Sequence, residues 1–158
     1  MKYFLLTSLF AITSIATGQE LAISETDDFT GSENRMTKYY EIGMAEISSV
    51  TKYKLACATL RVDDAYGLGL WSTADQGCAG AMGNYVIFLF EDGSTLKLDD
   101  DIVDVDCEER AVSRFIISPS DLAGKTLKRI RFAQSEGYVD YDVMGEFTLN
   151  ELFEAVKD

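Results

Sequence analysis

The chain has no histidine, one proline and three cysteines in 158 residues. Without histidine, the usual general base, the usual zinc ligand and the usual pH switch are all missing. A Ser-His-Asp or Cys-His catalytic site is therefore excluded. The single proline, Pro119, leaves no proline-rich linker. Basic residues are few as well, 14 against 27 acidic ones, for a net charge of -13. That balance repels nucleic acid and anionic lipid and favours a divalent cation or a basic partner.

Long apolar runs are absent except at the start, "MKYFLLTSLFAITSIATGQE". Lys2 is the only charge before Glu20, Tyr3 to Ala16 is mostly apolar, and Ala16-Thr17-Gly18 offers small residues for a cut. Residues 1–18 read as a signal peptide. A spanning helix wants about 20 apolar residues, and this run is interrupted by Thr7, Ser8, Thr13 and Ser14. The expectation is one β-rich domain over 19–158, secreted or periplasmic, with no membrane insertion after cleavage. Removing Lys2 leaves 13 basic against 27 acidic groups, or -14. An apolar content of 47% argues against disorder.

Turn residues recur at short intervals between β-branched and aromatic runs. This pattern predicts an antiparallel β-sandwich or small barrel, with a short C-terminal α-helix. In "NYVIFLFEDGSTLKLDD", Asp92-Gly93 predicts a two-residue type I′ turn. Leu89 then opposes Leu96 and Ile87 opposes Leu98, on a core face shared with Tyr85. Val86, Phe88 and Phe90 fall on the mixed face. Extending that ladder sets Cys78 opposite Cys107 on a close pair, which predicts a disulfide. Cys57, in the strand-like "YKLACATLRV", is then a buried free thiol.

A second hairpin, "LKRIRFAQSEGYVDYDV", pairs Phe132 with Val139 and Ile130 with Tyr141. Arg131 then opposes Asp140, and Arg129 opposes Asp142, so "DYD" reads as a salt-bridge ladder. "SPSDLAGK" predicts a short helical piece, with Ser118 as N-cap, Pro119 at N1, Asp121 at N3 and Gly124 as the stop. In "FTLNELFEAVKD", Thr148 and Glu151 form a capping box, and Phe147 and Leu152 a hydrophobic staple. Leu149, Leu152, Phe153 and Val156 share one face, which is expected to pack on the body over Phe88 and Phe90.

Three patches, "DDFTGSE", "FLFEDGSTLKL" and "IRFAQSEGYVDYDV", together resemble small exported bacterial β-rich proteins of uncharacterised role. Asp28-Phe29-Thr30-Gly31 and Gly137-Tyr138-Val139-Asp140 match best. The resemblance implies an exported β-rich domain and brings no activity or catalytic residue with it.

The acidic stretch "LDDDIVDVDCEER" reads first as the wet face of an edge strand. Calcium is the sharper alternative, with Asp100, Asp101 and Asp104 as ligands, completed by Asp63 and Asp64 or by Asp27 and Asp28. The EF-hand pattern is absent. Trp71 and Tyr66, in "DDAYGLGLWSTADQG", are the best candidates for a sugar- or peptide-binding platform, with Tyr138, Tyr39 and Tyr40 as further aromatics. The reading that results is an exported, non-catalytic binding or structural module, with a protein or glycan as partner. Three alternatives stand beside it. One is a calcium-stabilised glycan- or protein-binding domain. Another is an inhibitor or immunity-type protein with an acidic docking surface. The third is a hydrolase working through paired carboxylates.

Overall fold

The computed structural model describes residues 20–74, 84–99, 112–122, 124–145 and 149–157. The mainly β, antiparallel class with one short C-terminal helix is as expected. The strands are β1 (Leu21–Thr26), β2 (Glu33–Thr37), β3 (Tyr40–Glu46), β4 (Lys52–Val62), β5 (Ala65–Ser72), β6 (Tyr85–Phe90), β7 (Thr95–Asp99), β8 (Val112–Ile117), β9 (Leu127–Gln134) and β10 (Gly137–Val143). A 3-10 turn covers Pro119–Leu122, and the helix α1 covers Leu149–Lys157. No helix among the described residues is long and apolar enough to cross a membrane.

All ten strands among the described residues belong to one sheet. The hub is β4, whose 11 residues are long enough to serve two neighbours on one edge. Its first half pairs with β3 and its last residues pair with β2, while β5 takes the other edge. From β5 the sheet continues to β8, and from β3 it runs through β10, β9 and β6 to β7. β1 lies beyond β2 as a terminal strand.

The sheet curls so that its inner face meets itself. Phe115 on β8 packs edge-on against Phe132 on β9, with ring centroids 6.5 Å apart. The Ser72 hydroxyl on β5 lies 2.5 Å from that of Tyr141 on β10. β7 and β8 approach each other, but no ladder joins them among the described residues. The enclosed core draws on Leu55, Leu68, Leu70, Phe88, Ile130 and Phe132, all fully buried. Each such side chain contributes about 1.5–3 kcal/mol through burial.

The second hairpin has the expected register: Phe132 with Val139, Arg131 with Asp140, Ile130 with Tyr141 and Arg129 with Asp142. Arg131 grips Asp140 with two bonds, Nε–Oδ1 at 2.7 Å and Nη2–Oδ2 at 2.8 Å. Arg129 Nε reaches Asp142 Oδ1 at 2.9 Å. The "DYD" acids are therefore partners of arginines, as the alternation implied.

The first hairpin is one residue out of its expected register. Phe88 opposes Leu96 and Val86 opposes Leu98, and these pairs, not Leu89–Leu96 and Ile87–Leu98, carry the core face. The turn is the cause. Gly93 N–H donates to the Phe90 carbonyl at 3.0 Å, and Phe90 N–H donates to the Ser94 carbonyl at 3.0 Å. Gly93 has φ +82° while Asp92 has no left-handed φ, so the loop has three residues and ends in a bulge, not a two-residue type I′ turn. Asp92 Oδ1 holds this geometry by accepting from Ser94 N–H (2.8 Å) and Oγ (2.6 Å). A one-residue slip moves every side chain to the other face. The ladder that suggested a Cys78–Cys107 bridge is thus no longer in the register that suggested it. Both cysteines lie outside the described residues, as do the signal peptide, Phe147 and Thr148.

The short turn after β8 forms where Ser118 and Gly124 placed it. Asp121 N–H donates to the Ser118 carbonyl at 2.9 Å, and Gly124 has φ +71°. The helix α1 buries Phe153 and Val156 completely. Its main contacts are with β4, β2 and the 3-10 turn, not with Phe88 and Phe90. Phe153 meets Tyr66 edge-on at 6.0 Å. Arg61 Nη1 donates to the Lys157 carbonyl, placing a cation at the negative end of the helix.

Candidate functional site

Directly paired residues on neighbouring strands share a face. On the outward face, the registers place Ile23, Met36, Leu60, Gly67 and Ile116 in one row across β1, β2, β4, β5 and β8. At about 4.8 Å per strand the row runs on the order of 19 Å. Its ends are open to solvent, with Ile23 42% and Ile116 54% exposed. Its middle is closed by a close fit. A Cβ at Gly67 would lie 2.6 Å from Leu60 Cδ1, so the glycine leaves the space that the Leu60 side chain fills.

Beside this row lies a floor of small residues. Ala58 pairs with Gly69, and Ala56 pairs with Trp71; Ala56, Ala58 and Gly69 are all buried. Trp71 is half-buried at the far side of that floor, next to Val112 in register. Arg114, on the same face of β8, acts electrostatically on the Tyr39 hydroxyl. Burial pushes that hydroxyl up, and the nearby arginine opposes the shift. The outward face therefore gathers Ile23, Met36, Leu60, Trp71 and Ile116, with Tyr39 within electrostatic reach of Arg114.

Tyr66 does not join them. It is five positions from Trp71 on the same strand, an odd spacing that turns it to the inner face. There it packs on Phe153, with the Arg61 guanidinium 5.8 Å from its ring centre. Tyr40 also faces inward, directly opposite Cys57. Burial pushes the Cys57 thiol up to about 12, and Cys57 has no disulfide partner. Tyr138 is exposed on β10, with the Arg131 guanidinium 4.2 Å over its ring.

One end of this face is an ordered acidic hairpin. Asp27 Oδ1 accepts from Phe29 N–H (2.8 Å) and Thr30 N–H (2.7 Å), while Gly31 N–H donates to the Asp27 carbonyl at 2.7 Å. Those N–H groups hold the Asp27 carboxyl below its usual range. Phe29, at the tip of the β1–β2 hairpin, is 99% exposed. The hairpin is clamped to the β4–β5 turn. Asp63 Oδ1 accepts from Glu33 N–H at 3.0 Å, and its Oδ2 accepts from Ser32 Oγ at 3.1 Å. Asp63 itself has φ +52°.

These bonds answer part of the calcium expectation. Asp27 and Asp63 are brought to one end of the molecule, but their oxygens serve backbone and hydroxyl donors. No group of three or more His, Cys, Asp or Glu side chains among the described residues is arranged to hold a metal. Asp100, Asp101 and Asp104 lie outside the described residues. Asp92 and Asp140 are also held below the usual carboxylate range, by Ser94 and by Arg131 respectively. Those shifts run opposite to what a carboxylic general acid needs.

The row from Ile23 to Ile116 was not readable in advance. It depends on β2 pairing with β4 and β5 with β8, which are not hairpin partners. The opposite faces of Tyr66 and Trp71 were readable, from their odd spacing within "AYGLGLWS". The chain matches no protein-family model, no curated protein and no solved structure.

Proposed function

We propose that this chain is an exported, non-catalytic binding module that takes a protein partner on the outward face of β1, β2, β4, β5 and β8. The observation that carries the reading is the apolar row Ile23–Met36–Leu60–Ile116, with solvent-exposed ends, on a strand-built surface. Exposed Ile23 and Ile116 are joined on one face by the partly buried Met36 and Leu60, and apolar surface of this kind marks interaction sites. Aliphatic side chains dominate the row, whereas a sugar platform calls for stacked rings. Methionine, aromatics and arginine are the residue types enriched at protein interfaces, and Met36, Trp71, Tyr39 and Arg114 supply them.

The test places a photo-crosslinking residue at Ile116 in the exporting cell, with Lys128 on β9 as the control position. A specific protein adduct is expected from Ile116 alone. The captured partner should then alter the emission of Trp71, the only tryptophan in the chain. Ile116→Glu should weaken its binding by at least about tenfold, as charging an apolar contact at an interface does. Equal adducts from both positions, or full affinity in Ile116→Glu, would remove the reading.

A further inference from the structure

We infer that the free edge of β1 adds an extended, basic segment of the partner protein as a further strand; this rests on the protein-binding reading above. All six residues of β1 are exposed, and among the described residues β1 ends the sheet path and its outer edge has no strand partner. An unpaired edge is a template for another strand, and proteins usually blunt it with lysine or proline. "LAISET" contains neither, and its single bulge lies at the start, between Leu21 and Ile23. From Ile23 to Thr26 the register against β2 is regular. β1 is also held firmly in place, because the hairpin that carries it is tied by Asp27 and clamped by Asp63.

Charge selects the occupant. Glu20, Glu25, Asp27, Asp28, Glu33, Asp63 and Asp64 lie on or beside this hairpin. The basic residues nearby are engaged: Lys38 with Glu20 at 2.8 Å, Arg35 with Glu33 at 3.8 Å, and Arg61 with the Asp63 and Lys157 carbonyls. A second copy of the chain would bring like charges together, edge to edge. A strand carrying lysine or arginine at alternate positions would instead set cations beside these acids. Main-chain bonds give affinity in this mode and alternate side chains give specificity.

The experiment uses the purified protein and a short peptide alternating lysine and valine. The same peptide with N-methyl groups at alternate residues keeps the charge but cannot form a ladder. Binding that slows amide exchange in Leu21–Thr26, and is at least about tenfold weaker for the N-methylated peptide, is expected. Equal affinity of the two peptides would reduce the effect to charge alone and overturn the proposal. So would protection that appears elsewhere, or no binding. Because the crosslink from Ile116 reports on the face and amide exchange reports on the edge, either reading can fail without the other.

Discussion

Cys57 sits in mid-strand with no exposed surface, and burial raises its thiol far from reactivity at neutral pH. Nothing in the native protein should alkylate it. If the proposed Cys78–Cys107 bridge forms on export, thiol titration of the folded chain should find none, and of the denatured, unreduced chain should find one. Three thiols under the same denaturing conditions would show that no bridge exists. Cys57 was legible because a cysteine within "KLACATL" has apolar or small neighbours on both sides of a strand. The pairing of the other two was argued from a turn, and the turn was misjudged. Asp92-Gly93 supports either a two-residue or a three-residue loop. Only the backbone of Asp92 decides between them, and it avoids the left-handed region.

The β1–β2 hairpin shows how one side chain can position a whole element. Asp63 accepts a left-handed φ of 52°, a conformation costing about 1–2 kcal/mol for a residue with a Cβ, and its carboxylate fastens Ser32 and Glu33. Asp63→Ala should therefore destabilise the protein by about 1–2 kcal/mol in denaturant titration and speed amide exchange across 27–33. Asp63→Gly relieves the backbone but not the lost clamp, so its stability loss should be smaller and its exchange equally fast. Slow exchange in Asp63→Gly would show that something else orders the hairpin. The second hairpin was legible to the residue, because opposed charges and opposed apolar residues agreed on one register. The first offered two apolar faces, Val86-Phe88-Phe90 and Tyr85-Ile87-Leu89. Composition alone could not choose between them.

For the molecule as a whole, the helix α1 does what its sequence stripe implied, at a different place. It closes the inner face over β4 and β2, next to Tyr66. Phe153→Ala should cost about 3–5 kcal/mol in urea unfolding, and a loss below about 1 kcal/mol would mean that the core closes without it. Strand content and class were legible from turn spacing and alternation. The split edge of β4 was not, since a single strand serving two neighbours leaves no local mark. The join between the most distant strands is the ladder between β3 and β10, where Met44 meets Asp142 and Gly43 meets Val143. Until those last residues have been synthesised, β3 has nothing to pair with on that side. The first two-thirds of the chain can therefore pair β1 to β5 and form the β6–β7 hairpin, but not a finished sheet. Pairings between distant residues slow folding. A chain that folds late stays thread-like for longer, as passage through a channel on the proposed export route would require.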